Sequence, residues 1–208
     1  MKKLAVVILL AVLFCLPVVS VFAGERTNLE LIPKVGWIFN PDVKVTNGKE
    51  SVNQYKDSTV SAGADLFFDL KNNMFVGFGF MWGNNHRFTD RNKNKIGFTN
   101  IYAALKYKIL VNGDEQAPIY LYPLINLGIA CPSWDAEFTN VHNYEMTAGF
   151  YWGVGLGVEF CNIILEAIYG CDYAREKYDM RTYGGTVSKD DDITYTAFRI
   201  NIGYKFNL

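Results

Sequence analysis

Two histidines are the strongest candidates for catalytic chemistry in this sequence of 208 residues. His86 and His142 are its only histidines, and Ser58 with the adjacent Asp57 supplies a hydroxyl and an acid. In a cluster of His86, Ser58 and Asp57 the histidine would act as a general base and the serine as a nucleophile for acyl transfer. No spacing typical of a metal site or of a phosphate-binding loop is present. Whether such a cluster forms depends on the elements that carry these residues.

A second candidate is the basic segment NNHRFTDRNKNK. It contains Arg87, Arg91, Lys93 and Lys95 against the single acid Asp90. A segment of this kind can bind phosphate groups or the surface of a partner, and a solvated loop has the same composition. The whole chain has 20 basic and 21 acidic residues, a formal net charge of −1. This balance gives no electrostatic argument for binding nucleic acid.

The N-terminus predicts export. Two lysines precede an apolar run from Leu4 to Leu16. Val21 and Ala23 then occupy the positions where small residues precede the cut of a signal peptidase. We therefore expect a signal peptide over residues 1–23 and a single domain over residues 24–208. A membrane anchor is the alternative, but the stretch without polar residues is short and is followed by Pro17.

The rest of the chain predicts long β-strands. In YEMTAGFYWGVGLGVEF, from Tyr144 to Phe160, every even position is apolar and every odd position is small, polar, charged or a tyrosine. Alternation at period two indicates a strand, and the four glycines argue against a helix. Strands of soluble proteins usually have about 5 or 6 residues, whereas a tilted strand needs about 9 to 11 to cross a bilayer. The length of this run therefore favours a strand that crosses a membrane.

Eight segments share this alternation, and long and short connections alternate between them. The predicted strands lie near residues 28–39, 58–70, 75–82, 100–110, 119–129, 144–160, 163–172 and 194–208. Long polar connections cover 41–57, 83–95, 131–143 and 176–192, and short ones cover 71–73, 111–117 and 161–162. This pattern is typical of outer-membrane barrels, whose long loops face outward and whose short turns face the periplasm. Pro123 falls within a strand and requires a bulge or a lost ladder bond.

The charged residues of the predicted strands share one face, opposite the apolar set. They are Glu30, Lys34, Asp65, Asp69, Lys106, Lys108, Glu145, Glu159, Glu166, Asp172, Arg199 and Lys205. A soluble barrel would place its apolar face inside and its charges in water. An eight-stranded membrane barrel does the reverse, and its interior is just wide enough for side chains to fill it. We therefore expect acids and bases to pair inside a filled lumen.

The C-terminus adds a more specific signal. It reads NIGYKFNL, with Asn201, Gly203, Phe206 and the final Leu208, and this resembles the C-terminal assembly signal of bacterial outer-membrane barrels. With its strand count and loop alternation, the chain resembles the small eight-stranded OmpX/OmpA-type family. The resemblance implies an all-β, transmembrane, antiparallel up-and-down barrel in the bacterial outer membrane. It also implies partners: the barrel assembly machinery, outer-membrane lipids and lipopolysaccharide, and an extracellular partner bound through the loops.

The same resemblance frames the function. We expect a protein without catalytic residues, cofactor or metal, which acts in adhesion, binding or envelope stability. One alternative is a lipid A-modifying enzyme, catalysing acyl transfer or deacylation with His86, Ser58 and Asp57; another is a narrow pore. The histidine-x-serine spacing of the deacylase type is absent, since Asn143 and Tyr144 follow His142. The leading amphipathic helix of the palmitoyltransferase type is absent too.

Three cysteines follow the predicted signal peptide: Cys131, Cys161 and Cys171. Cys131 and Cys171 fall on predicted strands that have another strand between them. Their Cα atoms should be about 9 to 10 Å apart, which is too far for a disulfide. We expect unpaired apolar cysteines, and the odd count leaves an intermolecular thiol open.

Overall fold

The structure is a computed structural model that describes residues 29–46, 51–54, 58–83, 86–87, 95–112, 117–135, 141–182 and 185–208. Within these ranges no helix has the length and apolar character needed to span a membrane. The predicted signal peptide, residues 1–23, lies outside the described residues.

Eight long strands close into a ring. In chain order they are β1 (Leu29–Thr46), β2 (Thr59–Asp69), β3 (Met74–Gly83), β4 (Lys95–Tyr107), β5 (Ile119–Asp135), β6 (Val141–Phe160), β7 (Ile163–Thr182) and β8 (Gly185–Tyr204). Each strand pairs antiparallel with its neighbours in sequence, and β8 pairs with β1 to close the ring. Shorter strands extend the wall: Ser51–Gln54 and Phe206–Asn207 on β1, His86–Arg87 on β4 and Ile109–Asn112 on β5. The predicted all-β up-and-down barrel is confirmed.

The two ends of the barrel differ. Both ends of the described chain, Leu29 and Leu208, lie at the end that also carries the short connections 70–73, 108–118 and 161–162. We call this the turn end. The connections at the opposite end, the loop end, follow β1, β3, β5 and β7. The short connections predicted at the turn end are confirmed, but the long connection predicted over 176–192 at the loop end is wrong, because β7 and β8 are separated only by residues 183–184.

Side chains alternate between the lumen and the outer surface, as predicted. On β5, Leu127 is 52% exposed while Tyr122 and Asn126 are at most 2% exposed. The outward residues form a continuous apolar belt around the ring. Its exposed members include Val35, Trp37, Phe80, Trp82, Leu105, Tyr107, Leu156, Tyr169, Phe198 and Ile202.

Two bulges reverse the alternation at the loop end of this belt. In β1 the register shifts between Phe39 and Asp42, and beyond it Val43 is buried whereas Asp42 and Lys44 are exposed. In β6 it shifts at Gly149 and Phe150, which together stand opposite one residue of β7. One extra residue moves every following side chain to the other face.

The bulge in β6 corrects one prediction. Glu145 was expected in the lumen, but it is exposed, and Met146 packs against the buried core in its place. The prediction was wrong because it continued the alternation through the bulge. The other charged residues predicted in the lumen lie on the inward face, with Asp69 half-buried at the turn end.

Pro123 is accommodated by an interruption of the ladder. Lys106 pairs with Leu124, and the next pair of this ladder joins Ile109 to Leu121 in unchanged register. Between these pairs β5 makes no ladder pair with the preceding strand, while Pro123 remains paired with Leu156 of β6. The sequence predicts either a bulge or a lost ladder bond at Pro123, and the structure shows the lost bond.

Strands β7 and β8 are much longer than predicted. Each has 20 residues, and their pairing runs unbroken from Ile163 with Tyr204 to Thr182 with Gly185. Most of the segment 176–192, expected to be a loop, is therefore a hairpin. The segment lacks the apolar alternation on which the prediction depended, because both of its faces are polar.

Candidate functional site

The first region with organised polar chemistry is the lumen. Five bases and five acids pair there, each at most 12% exposed. The bases are Lys34, Lys106, Lys108, Arg199 and Lys205, and the acids are Glu30, Asp65, Glu159, Glu166 and Asp172. We call these ten residues the lumen ion network. Its charges cancel, as the inward pattern of mixed sign predicted.

The layer nearest the turn end joins two carboxylates to three lysines. Glu30 lies 2.7 Å from Lys106 Nζ and 2.5 Å from Lys108 Nζ. Glu159 lies 2.7 Å from Lys108 Nζ and 2.5 Å from Lys205 Nζ. Shared partners of this kind tie β1, β4, β6 and the C-terminal segment together across the lumen.

The middle layer is centred on Lys34. Its Nζ lies 2.5 Å from Asp65 and 3.1 Å from Glu166. The hydroxyl of Tyr102 donates a hydrogen bond of 2.8 Å to Asp65, and that of Tyr122 donates one of 3.1 Å to Glu166. One ammonium group thus balances two carboxylates that also accept hydrogen bonds from neutral donors, which favours a single arrangement of the layer.

Glycines make room for the tyrosine rings of the lumen. A Cβ at Gly157 would lie 2.2 Å from Cζ of Tyr122, so only glycine fits beneath that ring. Further toward the loop end, Arg199 Nη2 lies 2.9 Å from Asp172 and its guanidinium carbon lies 5.5 Å from the ring centre of Tyr151. The glycines of β6 therefore permit packing inside the barrel.

A cluster of apolar side chains lies in the lumen toward the loop end. The rings of Phe98 and Tyr195 are 5.2 Å apart between centroids and belong to one buried cluster. We call this part of the cluster the apolar cap: Ile38, Val43, Met81, Phe98, Ile193 and Tyr195, none more than 4% exposed. The bulge in β1 supplies Val43 to it. In the described lumen, ion pairs therefore lie toward the turn end and the apolar cap lies toward the loop end.

The second region is a sheet that projects from the loop end. On β7 the apolar belt ends at Tyr173, and the next outward residues are Arg175 and Lys177. A strand of 20 residues is about 66 Å long, or about 50 Å high at a tilt near 40°, whereas the apolar band of an outer-membrane barrel is about 25 Å tall. The outer parts of β6, β7 and β8 therefore stand beyond the belt. We call residues 141–148, 174–182 and 185–192 the protruding sheet.

The protruding sheet has two edges without a strand partner in the part of the chain that the structure describes. Pairing between β5 and β6 stops at Ala130 with Gly149, so residues 141–148 pair only with β7. Pairing between β8 and β1 stops at Asp192 with Thr46, so residues 186–191 pair only with β7. An edge of this kind presents backbone N–H and C=O groups to a partner.

Charged side chains cover the outer face of this sheet. Arg175 Nε lies 3.0 Å from Asp192 and 3.5 Å from Asp190, and Lys177 Nζ lies 3.5 Å from Asp190. The Ser188 hydroxyl donates a 2.6 Å hydrogen bond to Asp179. The sequence prediction assigned these residues to a loop. Their spacing of two, at 175, 177 and 179 and again at 190 and 192, is the signal that could have revealed a strand.

On the other face, Tyr178 donates a 3.3 Å hydrogen bond to Asp191. Partial burial, together with the charges of Asp191 and Glu176, raises the pKa of Tyr178 to about 12. The phenol therefore stays protonated and remains a hydrogen-bond donor throughout the physiological pH range.

The residues proposed for acyl transfer are not assembled by the described structure. Ser58 is exposed just before β2, and the backbone of His86 lies in a short strand opposite Ile96 of β4. The ladder between β2 and β3 ends at Ser61 with Gly83, and Asp57 lies outside the described residues. His142 lies in β6, opposite Asp179 of β7. Arg91 and Lys93 of the basic segment also lie outside the described residues.

The cysteines do not pair. Cys131 is half-buried, Cys161 is exposed and Cys171 is buried, and all three thiols are free. Cys131 lies on β5 and Cys171 on β7, with β6 between them, as predicted. Among the described residues, no three side chains of His, Cys, Asp or Glu are grouped in a way that would hold a metal ion.

Several solved structures of outer-membrane proteins are similar to this chain. The outer membrane protein AlkL, determined in DMPC bilayers, is 11% identical, with a TM-score of 0.55 over 88% of this chain and 92% of that one. OprG from Pseudomonas aeruginosa is 10% identical over 88% of this chain and 98% of that one, with a TM-score of 0.45. Ail, the attachment invasion locus protein of Yersinia pestis, is 13% identical over 85% and 98%, with a TM-score of 0.42.

No curated protein matches the sequence. The model of one protein family, described as outer membrane protein beta-barrel domain, matches residues 6–206. The match covers nearly the whole chain and agrees with the closed ring, the apolar belt and the charged lumen. This chain therefore belongs to the family of outer-membrane β-barrel domains, whose location is the bacterial outer membrane.

Proposed function

We propose that this outer-membrane barrel acts by binding at the cell surface through its protruding sheet, in adhesion or in contacts that stabilise the envelope. In barrels of this class the short turns face the periplasm, so the loop end faces outward. The observation that carries the proposal is the three-stranded sheet beyond the apolar belt, with charged outer residues and two edges open among the described residues. A strand edge binds an extended segment of a partner through main-chain hydrogen bonds.

The lumen supports a role without transport. Its charges are paired within the barrel, and the apolar cap lies toward the loop end. A filled lumen leaves no aqueous path, so we expect no steady conductance above background in planar bilayers. Open-channel currents of the purified barrel would contradict this part of the proposal.

The absence of catalysis is also part of the proposal. The exposed Ser58 and the strand of His86 on β4 give no support to an acyl-transfer site. Deletion of the gene should leave the acyl chains of lipid A unchanged in mass spectra. A different result would establish an enzyme instead. In that result, deletion of the gene changes the acyl chains of lipid A, and a gene copy with His86→Ala and Ser58→Ala does not restore them.

The other partners are proposals as well. The barrel assembly machinery would insert the chain through its C-terminal segment, and lipid and lipopolysaccharide would surround the belt. The basic side chains of the segment after β3 would add contacts to lipopolysaccharide phosphates.

A shortened hairpin tests the binding function directly. Lys177 stands opposite Asp190, so residues 178–189 can be replaced by Asn-Gly, which forms a two-residue turn between paired strands. Cells with this variant should attach to surfaces and to other cells no better than cells without the gene, while the barrel remains at normal levels in the outer membrane. The matched control is the full-length barrel with Ser58→Ala, which should attach like the wild type. Normal attachment by the shortened variant would refute the proposal.

A further inference from the structure

The apolar belt contains a trough on its lipid-facing side. The trough has a volume of about 760 Å³ and crosses five neighbouring strands in the order β3, β2, β1, β8 and β7. One wall is formed by Trp82, Val35 and Ile202, and the other by Phe80, Pro33 and Tyr204. The walls are two successive rows of outward side chains, so the trough runs at right angles to the strands.

Small residues give the trough its depth. On β2, Ala62 stands in one wall between Trp82 and Val35, and Ala64 stands opposite Phe80 in the other. Between the walls lies the backbone of inward-facing residues, including Gly63 and Gly203. Large side chains therefore border a floor of backbone, and the two alanines are low points in the walls.

The dimensions of the trough match one lipid chain. Five strands at about 4.8 Å spacing give a length of about 19 Å, and one leaflet of hydrocarbon is about 15 Å thick. The lining is almost entirely apolar, which suits an acyl chain and does not suit a peptide or a sugar.

The position of the trough indicates which leaflet supplies the chain. Its lower end is formed by Ile163 and Tyr204, beside the turn at Cys161 and Asn162. There Asn162 Nδ2 donates a 3.3 Å hydrogen bond to the Tyr204 hydroxyl, which places polar groups at this end of the trough. The upper end, at Trp82, lies one residue before the end of β3. A chain lying in the trough would therefore have its headgroup at the periplasmic boundary.

We propose that this trough is a binding site for one acyl chain of a phospholipid from the periplasmic leaflet, held longer than the lipids around the rest of the belt. The site does not depend on the proposed binding function at the cell surface. It depends only on the orientation of the barrel, with the turn end in the periplasm.

The test fills the trough with a side chain. In Ala62→Phe a ring projects from one wall into the trough, and Ala62→Leu fills the same space partly. The matched control is Ala103→Phe on β4, because Ala103 also faces outward, between Phe78 and Leu127 but outside the trough. All three substitutions place an apolar group against lipid, so each variant should fold and migrate anomalously until boiled.

Each protein is inserted into membranes of phosphatidylethanolamine and lipopolysaccharide, extracted in mild detergent and weighed by native mass spectrometry. The wild type and Ala103→Phe should retain one phosphatidylethanolamine molecule, Ala62→Leu should retain less, and Ala62→Phe should lose it. Equal retention by the wild type and Ala62→Phe would overturn the proposal. Loss from both phenylalanine variants, retention of lipopolysaccharide in place of the phospholipid, or a wild type without bound lipid would overturn it too. The attachment assay of the shortened hairpin is independent of these outcomes.

Discussion

Strands β6, β7 and β8 extend from the membrane into water, and the ion pairs of the barrel differ between these two regions. Inside the belt, Lys34 meets Asp65 and Glu166 at 2.5 and 3.1 Å, with all three side chains at most 3% exposed. In the protruding sheet, Lys177 meets Asp190 at 3.5 Å, with the two side chains 56% and 50% exposed. The two kinds of pair look alike in the sequence, yet water competes only for the second. Burial therefore decides how much each pair matters.

The largest effect is expected when one partner of a buried pair is removed. Lys34→Met leaves Asp65 and Glu166 close together in the lumen without their cation, and breaking such a pair costs about 3–5 kcal/mol. The free energy of unfolding should fall by that amount in urea titrations of the barrel refolded in lipid vesicles. The matched variant, Lys177→Met, breaks an exposed pair and should change it by less than about 1 kcal/mol.

Equal losses in these two variants would contradict the comparison. They would mean either that the lumen admits water freely or that the protruding sheet is buried against a partner. A conductance measurement on Lys34→Met separates the two explanations, because only a wet lumen would pass ions.

The outer faces of the two regions provide the next contrast. Val154 lies in the middle of the belt and is 46% exposed, whereas Thr147 lies beyond the bulge on the outer face of the protruding sheet. Val154→Arg places a charge against hydrocarbon and should reduce the free energy of unfolding by about 2–4 kcal/mol. Thr147→Arg places it in water and should change that free energy by about 0.5 kcal/mol or less. A large loss in Thr147→Arg would place the membrane boundary further out than Tyr173.

The difference between the two regions also explains which features the sequence could predict. Within the belt, each face meets one medium, so alternation at period two revealed the strands and placed residues such as Lys106 and Arg199 in the lumen. In the protruding sheet the outer face meets water, and the other face carries the buried Glu176 and Asp191, so charged residues lie on both faces. Hydrophobic periodicity therefore contains no strand signal there, and the sequence predicts a loop.

The bulges were missed for a related reason. A bulge adds one residue without a change of composition, and Gly149 with Phe150 fits the alternation of β6 as well as any other pair in it. Only the register against β7 shows that two residues oppose one. The prediction therefore placed Glu145 in the lumen, and it did not anticipate that Val43 and Met146 point inward at the loop end.

The smallest effect is expected from removing a bulge. Deletion of Gly149 leaves Phe150 opposite Tyr173, restores one unbroken alternation from Glu145 to Phe160 and keeps Ala148 opposite Ala174. No side chain changes face, so the free energy of unfolding should change by on the order of 1 kcal/mol or less. Deletion of Gly155 is the matched control, because it removes a glycine from a regular part of the same strand. After this deletion, the residues on one side of position 155 change faces, and their apolar side chains must point into the lumen. We expect Gly155 deletion to abolish the folded band that migrates anomalously before boiling, and Gly149 deletion to preserve it. If both deletions abolished that band, the barrel would need the bulge at Gly149 in order to fold. The bulge could then not be explained only as the point where the inward and outward faces of β6 change places.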